Sequence, residues 1–131
     1  MKKNRFNKVD RLKGQKNISR LFSDGKYFYG TSMNVVVKLS DKKHTAIKIG
    51  ITVPKRKLKT AVKRNLLKRR IKEIVRVKKN ELLPYLKESD SALEIFFIWN
   101  SFGIKKSKQI KKEIELLFLK ISFFIEQKQE N

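Results

Sequence analysis

The spacing of apolar and polar positions changes period several times along this chain, and each change marks an element. Ile18, Leu21 and Phe22 follow Asn17, a residue suited to an N-cap, and Gly25 offers a stop, so a short first helix is expected. From Met33 the period drops to two. Met33, Val35, Val37 and Leu39 alternate with Asn34, Val36 and Lys38, the pattern of a half-buried strand. The polar stretch Ser40-Asp41-Lys42-Lys43-His44 reads as a turn. After it Ile47, Ile49, Ile51 and Val53 alternate with Lys48, Gly50 and Thr52, which predicts a second strand antiparallel to the first, closed by Pro54.

The helical period returns from about Thr60 to Lys79, where Leu67, Ile71, Ile74 and Val75 fall at i, i+4, i+7 and i+8 and predict a buried stripe. Pro84 argues against continuing that helix far. Ala92 to Trp99 is apolar at both phases except at Glu94, as in a central strand covered on both sides. Asn100 to Gly103 reads as a loop. Ser107 then reads as the cap of a last helix carrying Ile110, Ile114, Leu117, Phe118, Ile121 and Ile125. The order α-β-β(-β)-α-β-α predicts an α+β fold, a two-layer sandwich in which helices cover a small mixed sheet. No repeat or linker divides the 131 residues, so a single domain over 1–131 is expected, with 1–7 and 127–131 as flexible tails.

Composition narrows this picture. Cysteine is absent, which excludes disulfides and thiolate metal sites and makes a cytoplasmic location the expectation. Met1-Lys2-Lys3 is basic without an apolar signal segment behind it. The longest apolar runs, Ile95 to Trp99 and Leu116 to Leu119, are far shorter than a membrane span, so a soluble protein is expected. Charge is the strongest signal: 34 Lys and Arg against 12 Asp and Glu give +22. Solubility alone asks for a net charge of only about 2 to 8 in a small domain. Such an excess attracts polyanions and is repaid by counterion release from nucleic acid.

The charge is concentrated. Lys55 to Lys79 holds thirteen Lys or Arg and one acid, Glu73. At about 100° per residue Asn65, Arg69, Lys72 and Arg76 line one stripe, with Arg64 and Lys68 flanking it on the side nearer the buried stripe. Like charges this close repel in a bare helix, and an anionic partner relieves the repulsion. Arg offers a planar fork to phosphate, and the Asn65 amide can both donate and accept. Glu73 reads as the ion-pair partner of Arg69 or Arg76. Asp10, Asp24, Asp41 and Asp90 are scattered and His44 stands alone, so the sequence lacks the clustered groups of a protein nuclease. Phe28, Phe96, Phe97 and Trp99 read as core. For Tyr27 and Tyr29 two readings stand side by side, stacking on nucleic-acid bases and ordinary packing.

The run Ala61-Val62-Lys63-Arg64-Asn65-Leu66-Leu67-Lys68-Arg69-Arg70-Ile71-Lys72-Glu73 resembles the signature helix of the bacterial ribonuclease P protein subunit, Ala-Val-x-Arg-Asn-Arg-x-Lys-Arg-x-x-Arg-Glu. Arg64, Asn65, Lys68, Arg69 and Glu73 match; Leu66 and Lys72 stand where the family usually has Arg. Arg11-Leu12 ahead of Leu21-Phe22 and Gly25, and the strand end Ile49-Gly50-Ile51-Thr52-Val53-Pro54-Lys55, are similar to further parts of the family pattern.

The resemblance implies a division of labour. A catalytic RNA subunit, with Mg²⁺ bound through the RNA and its substrate, would cut the 5′ leader from precursor tRNA. The protein would supply neither catalytic residues nor a metal site. Arg64, Asn65, Lys68, Arg69, Lys72 and Arg76 would bind the RNA subunit. A cleft between the first helix and the sheet, with Ile18, Phe22, Tyr27, Tyr29, Lys55 and Arg56, would take the single-stranded leader. Phe22 matches an aromatic of that cleft, and Ile18 stands where the family often has Phe. The resemblance also implies a left-handed crossover through the signature helix, against the usual rule, and no obligate protein or membrane partner. The alternatives are a ribosomal or other structural RNA-binding protein, and a polybasic module for DNA or a membrane surface.

Overall fold

A computed structural model describes residues 15–40, 46–89 and 91–130. In chain order they form α1 (Gln15–Asp24), β1 (Lys26–Tyr29), β2 (Met33–Ser40), β3 (Ala46–Thr52), α2 (Ala61–Lys78), a 3₁₀ turn (Lys79–Leu82), α3 (Leu83–Ser89), β4 (Ala92–Trp99) and α4 (Ser107–Glu130). The α+β order agrees with the pattern read from the sequence, with the optional third strand before α2 present. The Asp41–His44 part of the predicted turn, Asp10, Asp90 and the Arg11-Leu12 match lie outside the described residues.

The four strands form one mixed sheet in the order β1-β2-β4-β3. β1 pairs antiparallel with β2 and β2 antiparallel with β4, whereas β3 runs parallel to β4. The antiparallel sense expected of β2 and β3 is therefore as read, although the two strands do not pair. β4 is inserted between them. A centre flanked on both sides suits β4, the one strand that is apolar at both phases.

Alternation sorts each strand between two faces. Met33, Val35 and Val37 of β2, Ile47 and Ile49 of β3, and Leu93, Ile95, Phe97 and Trp99 of β4 enter one large core. Against them pack Leu67, Ile71 and Val75 of α2, Leu82, Leu86 of α3, and the α4 stripe Ile110, Ile114, Leu117, Phe118, Ile121 and Ile125. Ile74, expected in the buried stripe, is half-buried at its margin. The other face holds a much smaller cluster, Leu21 of α1 with Val36 and Phe96.

The helix ends differ in detail from expectation. Asn17 lies inside α1 rather than at its cap, because the helix begins at Gln15. The stop is as read: the Gly25 N–H donates to the Leu21 carbonyl at 2.8 Å. α4 begins at Ser107 itself, so Ser107 does not cap it. The capping position is Lys106, whose N–H donates to Gln109 Oε1 at 3.3 Å, half of a capping box. Pro84 sits in the first turn of α3, where its missing N–H is no loss. Residues 127–130, expected in a tail, continue α4.

Candidate nucleic-acid interface

Two surfaces collect the residues that sequence reasoning singled out, and they lie on different layers. The first is α2. With Leu67, Ile71 and Val75 turned into the core, Asn65, Arg69 and Lys72 are exposed on one side, and Lys68 is half-buried beside them. Arg64 is drawn away from that stripe. Its guanidinium donates to the Leu58 carbonyl at 2.9 Å and the Lys59 carbonyl at 2.7 Å, bracing the segment that enters the helix. Thr60, the N-cap, makes no side-chain cap of its own. Arg76, expected to be exposed, is half-buried and pairs with Glu73, its Nε donating to Oε2 at 3.1 Å. The hydrogen bond from Arg76 holds the Glu73 carboxyl below the usual glutamate range, and the same bond raises the Arg76 guanidinium. Glu73 thus has the ion-pair role its place among cations suggested.

The second surface is the sheet face carrying α1, and strand register orders it into rows. Tyr27, Val36, Phe96 and Gly50 are successive partners across the four strands, and so are Tyr29, Asn34, Ile98 and Thr52. The first row lies under the end of α1. Phe22 meets Phe96 edge to face, ring centroids 5.2 Å apart, and the Tyr27 hydroxyl donates to the Phe22 carbonyl at 3.1 Å. Gly50 makes this possible, because a Cβ there would come within 2.5 Å of the Phe96 ring. The second row stays open: Tyr29 is 67% exposed and stacks loosely on Tyr27 at 6.3 Å, while Asn34, Ile98 and Thr52 are half-buried. Phe22, 36% exposed, stands on the same face.

The predicted cleft residues are thus partly brought together. Phe22, Tyr27 and Tyr29 share one face. Nothing is described of the Ile18 side chain, although its backbone is in α1. Lys55 and Arg56 are exposed in a turn after β3, held by Lys57 and Leu58 N–H groups donating to the Pro54 carbonyl. β1, β3 and β4 run in the same sense, so Tyr29, Lys55-Arg56 and the loop after β4 gather at one end of the sheet. Tyr29 and that turn stand at opposite edges, three strand spacings or about 14 Å apart. The core readings hold: Phe97 and Trp99 are buried in the large core, Phe96 in the small one, and Phe28 packs edge to face on Phe124.

Sequence reasoning missed Asn34, Thr52 and Ile98. Their signal was the alternation itself, which puts them in the same phase as Val36, Gly50 and Phe96. It also missed Glu113 of α4, whose carboxylate accepts the Ser32 N–H at 2.9 Å and the Met33 N–H at 2.8 Å. That contact fixes the turn from which Tyr29 projects. Among the described residues no three His, Cys, Asp or Glu side chains gather as they would around a metal ion. No helix there is long and apolar enough to cross a membrane.

Comparison with known proteins identifies the family and the fold. The family model described as Ribonuclease P matches residues 6–122. The chain is similar to the ribonuclease P protein component of Porphyromonas gingivalis, 26% identical over 118 residues covering 89% of this chain and 86% of that one. It is also similar to that of Dictyoglomus turgidum, 41% identical over 90 residues, 69% of this chain and 70% of that one. Among solved structures, the RNase P protein of Staphylococcus aureus superposes with a TM-score of 0.67 at 26% identity, covering 88% of this chain and 96% of that one. Basic helix, open aromatic face, family pattern and fold converge, and the chain belongs to the ribonuclease P protein family, the protein component of a tRNA-processing endoribonuclease.

Proposed function

We propose that this chain holds two RNAs at once, the catalytic RNA subunit along α2 and the 5′ leader of precursor tRNA across the sheet. The observation that carries this reading is the separation of the two surfaces. α2 packs on one face of the sheet, and the open row Tyr29, Asn34, Ile98 and Thr52 lies on the other. Asn65, Lys68, Arg69 and Lys72 meet phosphates of the RNA subunit, with Arg76 contributing from its pair with Glu73 and Arg64 acting mainly on the segment before the helix. In the cleft, Tyr29 and Phe22 offer ring surface to unpaired bases, Asn34 an amide to a base edge, and Lys55 and Arg56 charge to leader phosphates. Tyr27 supports this wall, and Ile18 is assigned to the cleft from the family pattern alone.

Catalysis in this reading belongs to the RNA subunit, with Mg²⁺ held by RNA phosphates and substrate. The protein side chains bind, orient and screen charge where two polyanions meet. The chain works as one domain in the cytoplasm and needs no protein partner. The test is reconstitution. Purified chain alone should leave precursor tRNA intact; with its RNA subunit and Mg²⁺ it should cut at the 5′ end at modest salt, and chelating Mg²⁺ should stop the reaction. Cleavage by RNA-free protein would overturn the division of labour.

A further inference from the structure

Phe102 belongs to neither surface. It lies in the loop after β4, 76% exposed, with Lys57 Nζ 4.1 Å from the centre of its ring. A single exposed apolar side chain is ordinary on a protein surface. What sets Phe102 apart is that the backbone under it is held from three sides. The Asn100 N–H donates to the Ser32 carbonyl at 2.8 Å, the Gly103 N–H to the Lys57 carbonyl at 3.5 Å, and the Arg70 guanidinium to the Lys105 carbonyl at 2.9 Å. Gly103 turns the chain at a φ of +83°, a conformation strained for any residue with a side chain. The ring is therefore presented, at little further ordering cost to a ligand.

Its surroundings carry one sign of charge. The two loops joined here hold Lys55, Arg56, Lys57, Lys59, Lys105 and Lys106, and no acid. They lead into the first turns of α2 and α4, which also lack acids. Lys57 covers one face of the ring, and exposure of this extent leaves the second face open. Arg70, which ties the loop to α2, is one residue and so about 100° round the helix from Arg69. The loop thus lies to one side of the exposed stripe.

The geometry points to a third RNA contact: Phe102, beside Lys57, is a stacking platform for one unpaired RNA nucleotide whose flanking phosphates lie on the surrounding lysines. The site is sequence-tolerant, because every base has a face to stack. It rests on the reading of the chain as an RNA-binding subunit, and the nucleotide can come from the RNA subunit or from precursor tRNA.

The experiment measures binding of the full chain to each RNA separately, at fixed salt, for the unmodified chain and for Phe102→Ala, Phe102→Leu and Phe102→Trp. Exposure of the ring means all three should keep the thermal midpoint. Loss of one stacked base should weaken binding roughly 5- to 150-fold. Phe102→Ala and Phe102→Leu should both show this loss with one of the two RNAs, which identifies the source, and Phe102→Trp should not. Unchanged affinity for both RNAs in Phe102→Ala overturns the site. So does full retention by Phe102→Leu, which would make the contact merely apolar. If the unmodified chain binds neither RNA, the proposed function falls instead. The extra emission of Phe102→Trp, titrated with single-stranded hexa-adenylate, then decides the platform: quenching supports it and unchanged emission overturns it.

Discussion

The two faces of the sheet come from the same four strands and the same alternation, yet they end differently. On one, α2, α3 and α4 bring three apolar stripes against β2, β3 and β4, and the side chains close into a core that holds even Trp99. On the other, among the described residues, α1 supplies Leu21 and the edge of Phe22, which cover one row of strand partners. Apolar pattern alone does not separate these outcomes, since Val36, Phe96 and Ile98 are as apolar as their neighbours in sequence. Among the described residues, what separates them is how much helix covers each face. An under-covered face sacrifices some hydrophobic stabilisation and keeps its surface for a ligand.

The largest expected effect tests that contrast through stability. Ile71→Ala, in the closed core, should cost about 2–5 kcal/mol in urea unfolding. Phe22→Ala should cost less, the edge-to-face contact of about 0.5–1.5 kcal/mol together with the partial burial of the ring. Equal losses would make the α1 face a second core and remove the contrast. Next comes ligand binding. Tyr29→Ala should leave the unfolding midpoint unchanged and lower affinity for precursor tRNA with a long leader by about 1–3 kcal/mol, the scale of one stacked base. Leaderless tRNA should be unaffected, and a loss shared by both substrates would move the leader elsewhere. The smallest effect separates cations within α2. Arg69→Ala should reduce the salt slope of RNA-subunit binding by about one. Arg76→Ala should reduce it less, because Glu73 already occupies part of that guanidinium. Equal slopes would mean that the Arg76–Glu73 pair opens on the RNA.

Much of this was legible in the sequence where a long period and a composition agreed. α2 with its basic stripe, the doubly apolar β4 and the α4 stripe are of this kind, and the pattern from Ala61 to Glu73 carried the family. Short or non-local features were not legible. β1 spans four residues, too few for alternation to show, so Tyr27 and Tyr29 stood open between two readings until their pairing with Val36 and Asn34 placed them on the α1 face. The sheet order depends on β4 inserting between β2 and β3, and no local residue signals an insertion by a strand so far along the chain. Arg64 and Arg76 matched a pattern of cations, but where a long guanidinium ends is set by what it meets. One met the carbonyls of Leu58 and Lys59, and the other met Glu73.

The Glu113 carboxylate accepts N–H groups from Ser32 and Met33, some eighty residues back along the chain. Among the described residues the turn between β1 and β2 also has two backbone ties, the Gly30 N–H to the Met33 carbonyl and the Asn100 N–H to the Ser32 carbonyl, and it gains its side-chain anchor only when α4 has been made and has docked. During synthesis, therefore, the strand that carries Tyr29 emerges early and waits, its turn only partly anchored, for the last helix. A contact of such sequence separation forms late, because the loop it closes carries its entropic cost before any reward. A ribosome-bound chain shortened before Glu113 would present its basic helix, with the family pattern from Ala61 to Glu73, while the turn beneath Tyr29 still lacked its side-chain anchor. Competence for one RNA would then precede competence for the other, in the order in which the polypeptide leaves the ribosome.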